Sequence, residues 1–252
     1  MTPHSYLQGL LSQYALQQAE LNVLQRIRGD IETCLRRAYG SSPRIYYGGS
    51  YGKDTMIRPS YDLDLVVYFP STELASLKDI FWHVHNVLTG SRYVVKPKTV
   101  ALHLPYDNGF HVDVVPGRAQ DATFRYATLF KNVGNGSTLQ TSLKVHIDAV
   151  RRPGIREIVK LMKLWRVRRQ FSSSTFALEI LINRALAGTP VSDFARSMQQ
   201  VFSFIVSDVQ SMRFVDPANS NNELDISLSE RSALYSQAVQ ALNAPYWGDI
   251  VW

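Results

Sequence analysis

The sequence is poor in the residues that build disulfide scaffolds and zinc sites. Cys34 is the only cysteine in 252 residues, which excludes an internal disulfide framework and a Cys-based zinc site and fits a reducing compartment. Long apolar runs are missing as well: no stretch approaches the roughly 20 apolar residues of a membrane span. The start, Met1 to Leu10, has no basic segment leading into an apolar one. These absences predict a soluble, cytoplasmic protein with no membrane partner. Internal repeats and low-complexity segments are absent too. The six histidines form no evident cluster, since His83 and His85 fall two apart in an expected helix and point to different faces. No histidine metal site is therefore expected.

What is present is an ordinary globular composition with a formal charge of +6. That excess favours a polyanionic partner such as a nucleotide or nucleic acid, as a weak hint only. Apolar residues at helical spacing from about Ser5 to Tyr39 predict one long amphipathic helix, although Gln17 and Gln18 interrupt its stripe for one turn. Strands are expected over Arg44–Tyr47, Leu63–Phe69, Tyr93–Val95, Thr99–Leu104 and Phe110–Val115, with a helix over Leu74–Leu88. The turn Tyr106-Asp107-Asn108-Gly109 makes the last two strands a hairpin. Thr123 to Ser142 gives no clear pattern beyond a loop at Asn132-Val133-Gly134-Asn135-Gly136. From Leu143 onward the periodicity is helical, with helices expected over Leu143–Arg151, Gly154–Arg169, Ser174–Ala187, Val191–Met212 and Ser227–Leu242. The expectation is an α+β chain, with residues 1–140 as an α/β core including the long first helix and residues 141–252 as a helical domain.

The stretch Gly48-Gly49-Ser50-Tyr51-Gly52 fits G-x-S-x-G, the turn that presents a nucleophilic serine in α/β-hydrolases. It also fits a glycine-serine turn that holds phosphate, in which Gly48 and Gly49 allow close backbone approach and Ser50 adds a hydroxyl. The carboxylates favour the second reading. Asp62 and Asp64 lie at i and i+2 of a strand, on one face, with Cα atoms about 6.5 Å apart. Placed so, they raise one another's pKa unless a cation sits between them. Asp113, in a second apolar strand able to lie beside the first, completes a set of hard oxygen ligands for Mg²⁺. Two such ions about 3.5–4 Å apart can activate a hydroxyl and stabilise a leaving pyrophosphate. The hydrolase reading needs a parallel sheet with a later acid and histidine, and here the strands stop early.

Gly49-Ser50, the spacer to Asp62-Leu63-Asp64, and the later Val112-Asp113-Val114 resemble the signature of the DNA polymerase β-like nucleotidyltransferase superfamily. Glu157-Ile158-Val159-Lys160-Leu161-Met162-Lys163-Leu164-Trp165, Thr175-Phe176-Ala177-Leu178-Glu179 and Asp216-Pro217-Ala218-Asn219 look like the helical domain of 2′-5′-oligoadenylate synthases. The same pattern occurs in cyclic GMP-AMP synthase and its bacterial relatives, the CD-NTases (cGAS/DncV-like), and a compact bacterial CD-NTase is the nearest in size. The resemblance implies a polymerase β-like core plus a C-terminal helical domain with the active-site cleft between them, and Mg²⁺ or Mn²⁺ on Asp62, Asp64 and Asp113. It implies contacts from Gly49 and Ser50 to the triphosphate, from Lys163 and Ser174 or Thr175 to the donor's phosphates, and from Phe176 to its base. The implied reaction joins ATP, GTP or another nucleoside triphosphate into a cyclic oligonucleotide messenger for antiphage signalling. The implied partners are an effector that reads the product and a protein or nucleic-acid activator.

Two departures stand out: Thr175 replaces a more usual serine or glutamine, and the spacer reads Gly52-Lys53-Asp54-Thr55 where many relatives have Gly-Thr. Structural alternatives stay open for Phe176 as core and Ser172-Ser173-Ser174 as a helix cap, and Asp216-Pro217 reads as a structural turn. Transfer to an RNA 3′ end, linear oligonucleotide synthesis and a silent nucleotide- or RNA-binding module stay open for the whole chain.

Overall fold

A computed structural model describes residues 2–252. In chain order the elements are α1 (Pro3–Gln13), α2 (Gln18–Tyr39), β1 (Arg44–Tyr47), α3 (Gly49–Gly52), β2 (Leu63–Phe69), α4 (Leu77–Gly90), β3 (Lys96–Pro97), β4 (Leu102–Pro105) and β5 (His111–Ala119). They continue with β6 (Ala127–Lys131), β7 (Ser137–Thr141), α5 (Leu143–Ala149), α6 (Ile155–Arg168), α7 (Thr175–Ala185), α8 (Phe194–Asp208), β8 (Val215–Asp216), β9 (Asn219–Glu223) and α9 (Leu228–Asn243). The architecture is mixed α+β.

The chain divides into two compact units. The first holds Leu16–Asp54 and Tyr61–Ile147, built on a seven-stranded sheet with the order β1-β2-β5-β4-β3 and β6 and β7 continuing from β5. Leu63, Leu65 and Val67 are wholly buried. Their alternation with Asp64, Val66 and Tyr68 gives β2 two distinct faces. On the sheet side α4 packs on β5 and β6, and α2 packs on α4.

The second unit holds residues up to Ala15, Thr55–Ser60 and Asp148–Trp252. Its core gathers α6, α7, α8 and α9 around the fully buried Trp165 and Phe214, with α1 packed on α6 and α8. Residues 2–15, expected with the first domain, thus cluster with the helices. The short segment Thr55–Ser60 does so too, through the buried Ile57 and the bond from Lys163 to the Thr55 carbonyl.

The single long helix expected over Ser5–Tyr39 is two helices. The Tyr14 and Ala15 carbonyls accept from the Arg58 backbone N–H (2.8 Å) and Nη2 (3.1 Å), outside any helical ladder. Glu20 then starts α2 by accepting from the Gln17 N–H at 2.6 Å, the carboxylate half of a capping box. The Tyr93–Val95 strand is also corrected. The chain leaves α4 through Arg92 at φ 70°, with the Tyr93 N–H donating back to Leu88 (3.2 Å), and pairing begins only at Lys96. The expected β4–β5 hairpin forms, whereas β6, β7 and the β8–β9 pair were not expected.

Candidate active site

β2 and β5 run parallel, with Asp64 opposite Asp113. On the other side of β5, antiparallel β4 sets His103 opposite Asp113. Asp62 and His111 stand two residues before Asp64 and Asp113, which puts them on the same face. Two cross-strand rows result: Asp64, Asp113 and His103 in one, Asp62 and His111 in the next.

The side chains in these rows touch. His103 Nδ1 lies 2.9 Å from Asp113 Oδ1, and His111 Nδ1 lies 2.9 Å from Asp62 Oδ1. His111 Nε2 is 3.9 Å from Asp113 Oδ2. The Lys98 ammonium donates to both Asp113 oxygens, at 2.9 and 3.1 Å. Sequence reasoning passed over both histidines and Lys98. The signal was the β4–β5 hairpin itself, because its turn sets 103 opposite 113 and strand alternation places 111 beside them.

The Asp64 carboxyl is strongly perturbed. Burial pushes it from 3.8 up to about 6, the charges of Asp113 and Asp62 push the same way, and Lys53 and His111 oppose them. A buried carboxyl whose proton affinity is raised further by two neighbouring acids is the electrostatic signature of a cation site. Lys53 is itself buried, and in the sequence it marks only an unusual spacer.

The glycine-serine turn lies directly over Asp64. The Gly48 N–H donates to the Asp64 carbonyl at 2.8 Å. Gly49 has φ 46°, and a Cβ there would stand 1.6 Å from Asp64 Oδ2. A side chain there would have to displace the Asp64 carboxylate, and the positive φ favours glycine. Ser50 follows in the one-turn α3, half-buried. All strand pairs among the described residues are antiparallel except β2–β5. The parallel sheet that a hydrolase elbow requires is therefore not formed.

The donor chemistry suits a divalent ion. Asp62, Asp64 and Asp113 offer hard oxygens for Mg²⁺ or Mn²⁺. Among the described residues, the ligand atoms of His103, His111 and Asp113 all lie within 4.8 Å of one another. The expectation that no histidines gather at a metal-binding position is corrected by this group.

The remaining sequence-derived residues belong to the helical unit. Lys163 is buried on α6 and donates to the Thr55 carbonyl at 2.9 Å. Ser174 caps α7 by accepting from the Ala177 N–H, and its own N–H donates to Glu230 Oε1 at 2.6 Å. Thr175 is the first residue of α7, and Phe176, half-buried, packs against the helical core. Phe176 also lines a cavity of about 470 Å³ with Glu179, Asn183, Asp216 and Pro217. Asp216 accepts from the Ala218 N–H (2.8 Å) and Asn222 Nδ2 (3.1 Å), which ties down the β8–β9 turn. No described helix is long and apolar enough to cross a membrane.

Neither a protein-family model nor a curated protein matches the sequence. Solved structures do. CdnC of Escherichia coli MS115-1, determined with ATP, is 19% identical with a TM-score of 0.76, over 99% of this chain and 97% of that one. The CD-NTase CdnG of Bradyrhizobium diazoefficiens, in complex with GTP, is 13% identical with a TM-score of 0.74, over 94% and 89%. The Vibrio cholerae cyclic AMP-GMP synthase DncV, in complex with nonhydrolyzable GTP, is 15% identical with a TM-score of 0.63, over 98% and 81%. The fold is thus the one these three structures share, a mixed α+β core of polymerase β-like type with a helical domain.

Proposed function

We propose that the protein is a metal-dependent nucleotidyltransferase that joins nucleoside triphosphates into a cyclic oligonucleotide messenger. The observation that carries this reading is the convergence of Asp62, Asp64 and Asp113 on one sheet face, beneath a glycine turn in which a side chain at Gly49 would meet the Asp64 carboxylate. The shared fold with CdnC, CdnG and DncV supports it.

In the proposed reaction a ribose hydroxyl attacks the α-phosphorus of a bound triphosphate, the new phosphodiester forms, and pyrophosphate leaves. A second round closes the ring. Asp62, Asp64 and Asp113 would hold one or two divalent ions, which supply charge compensation for the triphosphate and activation of the hydroxyl. Asp113 is also assigned to accepting the hydroxyl proton. Gly49 and Ser50 are assigned to the triphosphate by the resemblance, Lys163, Ser174 and Thr175 to the donor's phosphates, and Phe176 to its base. ATP and GTP are the first candidate substrates, since they accompany CdnC and CdnG. A partner protein that reads the cyclic product, in a bacterial antiphage response, belongs to the same proposal.

The test incubates the protein with labelled ATP, GTP, CTP and UTP and Mn²⁺ or Mg²⁺, digests with phosphatase, and identifies resistant products by mass. A cyclic product absent from Asp62→Asn/Asp64→Asn supports the proposal. Transfer only to added RNA, or only linear products, would replace it with transfer to an RNA 3′ end or with linear synthesis, readings that the +6 charge suits. Metal-dependent triphosphate binding without product would point to a required activator, and binding independent of metal to a silent module.

A further inference from the structure

The two cross-strand rows bring nitrogen donors into a site that the acids alone would make all oxygen. We propose that His103 and His111 ligate an ion directly beside Asp113, so that the site prefers a first-row transition ion such as Mn²⁺ or Co²⁺ to Mg²⁺. The inference rests on the reading of Asp113 as a metal ligand.

The geometry fits direct ligation. Neighbouring ligands held about 2.1 Å from one ion stand roughly 3.0–3.5 Å apart in octahedral or tetrahedral arrangements. His103 Nδ1 is already 2.9 Å from Asp113 Oδ1, and His111 Nε2 is 3.9 Å from Asp113 Oδ2. One ligand atom from each of His103, His111 and Asp113 lies within 4.8 Å of the other two. His111 is also oriented for the task. Its Nδ1 is engaged by Asp62 at 2.9 Å, which leaves Nε2 on the Asp113 side. A carboxylate behind one ring nitrogen fixes the tautomer and raises the basicity of the other, the usual support of a metal-bound histidine.

Ion choice follows from donor chemistry. Mg²⁺ is hard, holds its waters and favours carboxylates and phosphates. Imidazole nitrogen adds affinity for transition ions and little for Mg²⁺. The Lys98 ammonium now compensates Asp113, and its half-exposed side chain can swing away when an ion enters.

The experiment measures the tag-free 252-residue chain with Mn²⁺, Co²⁺ and Mg²⁺ alone, without nucleotide. Pulsed EPR of the Mn²⁺ complex reads ¹⁴N coupling from imidazole directly in the wild type, whatever any variant does. Calorimetry then compares His103→Asn, His111→Asn and Lys98→Ala, each checked for a native melting transition. The expected result is ¹⁴N coupling in the wild type and a loss of about 10-fold or more in Mn²⁺ and Co²⁺ affinity in each histidine variant. Mg²⁺ affinity is expected to stay nearly unchanged, and Lys98→Ala to bind Mn²⁺ more tightly. Mn²⁺ binding that Asp113→Asn removes, but without ¹⁴N coupling or any effect of the histidine variants, would overturn the inference and leave the proposed function standing. No binding of any ion by the wild type without nucleotide would also overturn the inference, while the proposed function is overturned only if triphosphate binding is independent of the ion.

Discussion

A methyl group on Gly49 would stand 1.6 Å from the Asp64 Oδ2 atom. The turn and the carboxylate are therefore coupled, since with the carboxylate in this position the backbone passes over Asp64 only without a side chain at 49. Gly49→Ala must either push the Asp64 side chain aside or move the turn, and φ 46° adds strain for any L-residue. The expected outcome is a loss of about 2 kcal/mol in denaturant unfolding. Mn²⁺ affinity should fall with it, because the carboxylate is the group displaced. A variant of native stability and native ion affinity would show that the contact is not functional.

The raised proton affinity of Asp64 has a definite sign. Its folded-state value of about 6 lies above the ordinary carboxyl value of 3.8. The stabilising contribution is therefore complete below about pH 4 and is lost as pH rises through about 6. Asp64→Asn imitates the protonated form. In EDTA, its stability advantage over the wild type should be near zero at pH 4 and grow to on the order of 2 kcal/mol by pH 7. Saturating Mn²⁺ should remove that advantage, because the ion favours the charged form. A difference that is flat with pH would contradict the assignment.

Protons and ions compete for the same oxygens. Mn²⁺ affinity of the wild type should therefore climb steeply from pH 5 to 7, and calorimetry in paired buffers should show proton release near pH 6. Binding without proton release would mean that the ion sits elsewhere.

Lys163 bears on structure as well as on the proposed phosphate contact. It is buried and donates to the Thr55 carbonyl. Lys163→Met leaves that carbonyl without this donor, so a loss of about 1–3 kcal/mol is expected. Comparing unfolding with triphosphate affinity separates the two roles. A stable variant with lost affinity would assign the lysine to the ligand alone.

The site was legible where it depended on alternation within one strand. Asp62 and Asp64 sit at the start of a strand whose bounds, Leu63–Phe69, the sequence gives directly. Asp113 was legible through its apolar neighbours, although its partnership with Asp64 needed the parallel register. His103 and His111 were overlooked because their meeting depends on a hairpin register that no single-strand pattern carries. The break between α1 and α2 was illegible for a similar reason. Its carbonyls are taken by Arg58, far along the chain, and the apolar stripe runs on across the gap. β7 and β9, Ser-Thr-Leu-Gln-Thr and Asn-Ser-Asn-Asn-Glu, are too polar to announce themselves as strands. Backbone pairing and the Asp216 turn hold them instead.

The most direct test of the central claim is triphosphate binding as a function of divalent ion. Titrating nonhydrolysable ATP and GTP analogues into the protein with Mn²⁺ and with EDTA should give tight binding only with the ion, and Asp62→Asn/Asp64→Asn should lose it. Equal affinity in EDTA, or full affinity in the double variant, would contradict the account.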